Sequence, residues 1–153
     1  MTDDALFDAY MEMTEADPVD MDAQFAADMR RWQAEDERHD VKLSAFIERE
    51  FRAQRLFTTP NERGTGIVRE VADQLLQAPL LRDIVDPTVM RAALDRLTHG
   101  WLASRQELPV HPRAARHFGL SWWDPDMRYR MLGTHFTFRE YIVRYIRWSP
   151  WLA

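Results

Sequence analysis

Asp36 and His39 stand three residues apart, the acid-x-x-His spacing that sets a carboxylate and an imidazole on one side of a helix as paired metal ligands. Their neighbours carry a seven-residue recurrence. One row reads Phe25, Trp32, His39, Phe46 and Ala53, and the companion row reads Met29, Asp36, Leu43, Glu50 and Phe57. A helix bearing these rows buries them, so Asp36, His39 and Glu50 are expected on the inward face.

That arrangement resembles half of a ferritin-like di-iron site, and the ions such a helical metalloprotein would take are iron, manganese or zinc. The complete constellation needs a second acid-x-x-His pair and two more carboxylates from other helices. The chain has no second pair. His135 and Glu140 are the remaining candidates, five residues apart and separated by a cap at Thr137. The opposing expectation is a bend near Asp40 that leaves these side chains solvated or salt-bridged.

Other polar residues give weaker signals. His111 and His117 flank a short helix, and His99 precedes Gly100 where an imidazole complements a helix dipole. No serine or cysteine accompanies them as a nucleophile. Ser121 and Ser149 read as turn caps, and Ser44 and Ser104 as helix-face residues. Gly64-Thr65-Gly66 opens a helix beside Arg63 and Arg69, an arrangement that suits an anion, but it lacks the lysine and spacing of a phosphate-binding loop. A plain loop entering a helix explains it as well.

The C-terminal block offers a different chemistry. Residues 113–153 hold ten of the 18 aromatics, while residues 1–40 hold 13 of the 25 acids. Trp122, Trp123, Trp148 and Trp151, with Arg128, Arg130, Arg144 and Arg147, are the residue types that carry binding energy when a surface is desolvated. Phe138, Tyr141, Ile142 and Tyr145 share one helical face and are assigned to the core. Lys42 is the single lysine beside 19 arginines, and planar guanidinium groups suit carboxylate forks and aromatic stacking.

The elements that position these residues are helical. Residues 3–16 form a short acidic helix, Asp20 caps a long helix from Met21 to about Leu56, and residues 58–64 are a loop. Helices follow from Thr65 to Gln77, from Asp86-Pro87 to about Arg105, and from the His111-Pro112 region to Phe118. Asp124-Pro125 starts a brief helix to Leu132. Thr137 and Glu140 make a capping box for a last helix ending near Trp148. The expected fold is an all-α single domain of five to seven helices, with an acidic segment (1–19), a helical core (20–105) and an aromatic, arginine-rich segment (106–153).

At 153 residues and 46% apolar content, the chain has enough material for a core without staples. The absence of cysteine removes disulfides, thiolate metal sites and thiol nucleophiles, and a net charge of −5 opposes general nucleic-acid binding. The acidic N-terminus is unlike a leader peptide and no apolar run is long enough to span a bilayer, so a cytoplasmic location without membrane insertion is expected. The leading expectation is a small non-catalytic helical subunit or accessory protein, docking on a larger protein partner or self-associating through the C-terminal surface. A helical metal-binding protein is the alternative, and a protein holding an aromatic or anionic small molecule is the third reading.

Overall fold

A computed structural model describes residues 1–16, 18–60, 62–82, 84–101 and 106–148, with the backbone alone at 80, 82 and 97–101. Trp151, Ser104, Ser149 and the His99 side chain lie outside the described residues.

The chain is mostly helical with two small antiparallel sheets, so the all-α expectation holds for the bulk of the chain and fails at the sheets. Helix α1 is Asp3–Ala16 and α2 is Met21–Arg38. As expected, the Asp20 carboxylate caps α2, accepting from the Ala23 amide at 2.9 Å. The helix does not continue to Leu56. His39 is extended at φ −123°, ψ 150°, and a separate helix α3 spans Ser44–Glu50. Continuation would have carried His39 and Asp36 into an apolar core without partners, a costly arrangement that the turn avoids.

Strands β1 (Phe57–Thr59) and β2 (Glu62–Arg63) pair antiparallel within the stretch expected to be loop. Gly64 then enters helix α4, Thr65–Gln77. Its amide donates to the Leu56 carbonyl at 2.7 Å, and a Cβ there would sit 2.9 Å from the carbonyl oxygens of Arg55 and Leu56. Helix α5 is Pro79–Arg82 and α6 is Pro87–Trp101. The Asp86 carboxylate caps α6 through the Thr88 amide at 2.8 Å, and the pairs Arg69–Asp95 and Arg91–Asp73 tie α6 to α4. Helix α7 is Pro112–Phe118, ended by Gly119 at φ 62°.

The largest departure is at residues 128–137. The expected brief helix to Leu132 is a hairpin, with β3 Arg128–Met131 paired to β4 Thr134–Thr137. Met131 faces Thr134 in register, leaving Leu132 (φ 51°) and Gly133 (φ 79°) as a two-residue turn with both φ positive. Such a turn matches the right-handed twist of the strands it joins. Tyr129 and Met131 point inward while Arg128 and Arg130 do not, the period-two pattern of a half-buried strand. Gly133→Ala is expected to lower stability by about 1 kcal/mol, since a side chain in the left-handed region costs roughly that much. Urea denaturation measures it, and an unchanged midpoint would mean that the turn relaxes to another type.

Helix α8 is Phe138–Trp148, opened by the expected capping box. The Thr137 amide donates to Glu140 Oε2 at 2.8 Å, and the Glu140 amide donates to Thr137 Oγ1 at 3.3 Å. These interactions hold the Glu140 carboxyl below its usual range, the Thr137 backbone hydrogen bond being the largest cause.

Two apolar clusters result. The first gathers Met29, Leu43, Ile47, Leu56 and Ile67, with Phe25, Trp32, Phe51 and Phe57 against them. The second gathers Tyr129, Met131, Phe138, Tyr141 and Ile142, with Phe7, Tyr10 and Met11 of α1 packed on it. The acidic N-terminus is therefore laid on the basic C-terminal half. Asp3 pairs with Arg147 and Asp4 with Arg139.

Arg55 joins the two clusters. Its guanidinium donates to the carbonyls of Phe57 (3.2 Å), Thr58 (3.3 Å) and Leu108 (2.7 Å) and lies 3.5 Å from Glu107 Oε1. It also stands 5.4 Å from the Tyr129 ring and 5.9 Å from Trp122. Glu107 in turn accepts from the Arg130 amide at 3.0 Å, so the 106–110 segment is fastened to both halves.

Candidate functional site

The Asp36 carboxylate works as a cap. Its Oδ1 accepts from the Leu43 amide at 2.7 Å, and its Oδ2 accepts from the Ser44 amide at 3.0 Å and the Ser44 hydroxyl at 2.5 Å. Burial alone would raise its pKa. The hydrogen bonds from Ser44 and Leu43, with the Lys42 charge, outweigh that and hold it below the usual carboxylate range. Asp36 thus starts α3 from the preceding helix, and both of its oxygens are committed.

The other metal candidates are dispersed among separate partners. His39 lies 3.3 Å from Glu35 on the exposed end of α2. Glu50 accepts from Arg49 (2.8 Å) and Gln54 (3.1 Å), which lower its pKa. His135 is exposed on β4, and Glu140 belongs to the capping box. Among the described residues no three His, Asp or Glu side chains are placed to share an ion. Among the described residues Asp36, His39, Glu50, His135 and Glu140 are not brought together; the chain turns near Asp40 as the opposing expectation had it, and each acid finds hydrogen bonds of its own.

His111 and His117 also have separate neighbours. His111 Nδ1 accepts from the Arg113 amide at 3.1 Å and caps α7, while its Nε2 lies 3.3 Å from the Thr14 hydroxyl of α1. Burial, then the charges of Arg116 and Arg113, lower its pKa from the usual imidazole range. His117 pairs with Asp22 at 2.9 Å.

The expected C-terminal interface divides in two. Trp122 and Trp123 are half-buried; the Trp122 indole donates to the Phe51 carbonyl at 2.9 Å and the Trp123 indole to the Tyr129 hydroxyl at 3.2 Å. They close the fold internally and are corrected from surface anchors to packing residues. Arg130 is half-buried, and Arg128 reaches the His135 carbonyl at 3.4 Å. The outward part lies on the α8 face, where Trp148 is 64% exposed. Tyr145, assigned to the core by its spacing, is 55% exposed and is corrected to a surface residue, since the buried stripe of α8 ends a turn earlier at Tyr141 and Ile142.

A cleft of about 490 Å³ lies along that face, between Asp3 of α1, Leu132 of the hairpin turn, Phe136 of β4, and Arg139, Val143, Arg144, Arg147 and Trp148 of α8. Arg144 stands 5.3 Å from the Phe136 ring. Arg147 is held to Asp3 by Nε at 2.8 Å, and Arg139 is paired with Asp4. The residues missed in the sequence are Leu132, which reaches this cleft because the hairpin folds back onto α8, and Arg139 in the first turn of α8 itself. The available signal was the alternation of Arg128, Tyr129, Arg130 and Met131 before a Leu-Gly turn.

A second cleft of about 440 Å³ lies between α2, the α2–α3 connection, β2 and α4. Trp32, Val41, Leu43, Val68 and Val71 form its apolar lining, with Glu35, Asp36, His39 and Arg63 around them. Ligand sites typically combine such an apolar lining with a few converging polar groups.

Fold and surface together define a mostly helical protein whose described residues form an open cleft on the α8 face and another against α2. The chain belongs to the family described as polysaccharide biosynthesis enzyme WcbI, which it matches over residues 1–82. That span contains the whole of the second cleft and, from the first, Asp3. No curated protein and no solved structure matches the chain. Among the described residues, no helix is long and apolar enough to cross a membrane.

Proposed function

We propose that this chain serves polysaccharide biosynthesis as a helical accessory protein that docks on a larger enzyme of that process through the α8 cleft. The family supplies the process. The docking role rests on Leu132. It occupies the left-handed region at φ 51°, where asparagine or glycine sits at lower cost, yet it is an apolar side chain left 62% exposed at the cleft. Strain retained at a surface position is a reason to look for function there. Trp148 extends the same apolar surface, and Arg139, Arg144 and Arg147 beside it supply the polar anchoring that interface cores combine with aromatics.

Leu132→Asn separates folding from docking. It is expected to raise stability by about 0.5–1 kcal/mol, by removing left-handed strain. It should also weaken capture of the partner enzyme. Trp148→Ala should weaken capture with stability within about 0.5 kcal/mol of wild type, as for other exposed substitutions. The experiment is affinity capture of the polysaccharide-assembly enzymes by wild type and both variants, quantified by mass spectrometry beside urea denaturation. Equal recovery by all three proteins would sink the docking reading.

A further inference from the structure

The second cleft shows an unmatched charge. Arg63 projects from β2 to its edge, and among the described residues no carboxylate pairs with its guanidinium. The other ionised groups there are already satisfied. Glu35 is neutralised by Arg38 at 3.4 Å and faces His39 at 3.3 Å, and the Asp36 oxygens accept from Leu43 and Ser44. Among the described residues lining this cleft, Arg63 is thus a cation that no carboxylate neutralises; it is exposed to solvent, and its planar fork fits an incoming carboxylate or phosphate by two parallel hydrogen bonds.

The rest of the cleft specifies what carries the anion. Trp32 is half-buried, packs against Phe57 at 5.8 Å between ring centroids and lines the wall, the kind of aromatic surface on which the C–H bonds of a sugar ring pack. Glu35 accepts hydrogen bonds and His39 donates or accepts, the pairing that hydroxyl groups satisfy on both sides. Val41, Val68 and Val71 exclude water from the remaining wall. The volume of about 440 Å³ lies in the roughly 300–1,000 Å³ range of small-molecule sites.

We infer that this cleft binds an anionic sugar, with the ring against Trp32, hydroxyls on Glu35 and His39, and the carboxylate or phosphate on Arg63. The inference rests on the family's link to polysaccharide biosynthesis and is independent of the α8 docking surface. The residues come from four separate elements, and they meet because α2 stops at Arg38 and the β1–β2 ladder turns Arg63 toward it.

Saturation-transfer NMR and calorimetry on the full chain test it, with glucuronate, glucose 1-phosphate, glucose and inorganic phosphate as probes. Either anionic sugar is expected to bind more tightly than glucose or phosphate alone, and the tighter of the two identifies the anion. Arg63→Gln should weaken that binding about tenfold, the loss of one charge-assisted pair, while leaving glucose unchanged. His39→Ala, on an exposed helix end, should weaken both sugars and serves if Arg63→Gln fails to fold. Phosphate binding as tightly as glucose 1-phosphate, or no response to either substitution, overturns the inference. Trp148→Ala distinguishes the two readings, because it should keep sugar binding while losing the partner enzyme. Partner capture without sugar binding overturns the cleft alone, and sugar binding without capture overturns the docking surface alone.

Discussion

Arg55→Met is expected to destabilise the protein by about 3 kcal/mol, lowering the melting temperature by roughly 10 °C for a chain of this size. The side chain is only 17% exposed and donates to three backbone carbonyls from two distant stretches. Methionine fills much of the volume but donates nothing. The Leu108 and Phe57 carbonyls then lose a charged donor, and Glu107, 29% exposed, loses its countercharge. Arg55→Lys should recover less than half of the loss, because an ammonium lacks the fork that spans Phe57, Thr58 and Leu108 together. Urea denaturation gives the magnitudes, and a double-mutant cycle with Glu107→Ala isolates the ion pair from the carbonyl bonds. An Arg55→Met protein within about 0.5 kcal/mol of wild type would show that apolar packing alone fastens the 106–110 segment.

Asp36→Ala is expected to cost about 2 kcal/mol at neutral pH, at the upper end for a helix cap because three donors lose their acceptor together. The cost should depend on pH with a definite sign. The folded-state pKa of Asp36 is depressed, so its stabilising contribution is fully present above the unfolded value of about 3.9 and is lost as pH falls through the lower folded value. The difference between wild type and Asp36→Ala should accordingly be constant from pH 7 to about 5 and shrink below about pH 4. Stability curves at a series of pH values measure it. A difference that grows on acidification would mean that the protonated carboxyl is the better cap.

Both residues show where sequence reading stopped. Asp36 stood out through its spacing to His39 and its place on an apolar stripe, and those observations were sound. What they could not reveal is that the conflict of polar residues on a buried face is resolved by ending the helix at Arg38. A carboxylate then reaches seven and eight residues forward to Leu43 and Ser44. Arg55 carried no signal, because its partners at 107, 108 and 129 are remote in sequence and its near ones, at 57 and 58, are backbone carbonyls that no side-chain type marks. Helix starts were legible where the cap is local, as at Asp20, Asp86 and Thr137, since a side chain bonding an amide two or three residues away is set by neighbouring residues alone. The hairpin at 128–137 was misread because Asp124-Pro125 is a good helix start. The alternating pattern and the Leu-Gly turn outweigh it once Tyr129 and Met131 have a cluster to enter.

Among the aromatics, periodicity correctly sent Phe138, Tyr141 and Ile142 inward, and composition correctly marked the α8 region as unusual. Which tryptophans face out was a matter for the tertiary structure. Trp122 and Trp123 find the Phe51 carbonyl and the Tyr129 hydroxyl, whereas Trp148, one turn beyond the buried face of α8, does not. The sequence by itself determined a mostly helical chain, its capped helix starts and the polarity of its two ends, because these depend on short-range backbone bonding and on composition. Only the tertiary structure decided which acids are caps, which indoles are packed and where Arg63 comes to meet Trp32. Those outcomes turn on which distant groups satisfy one another when water is excluded.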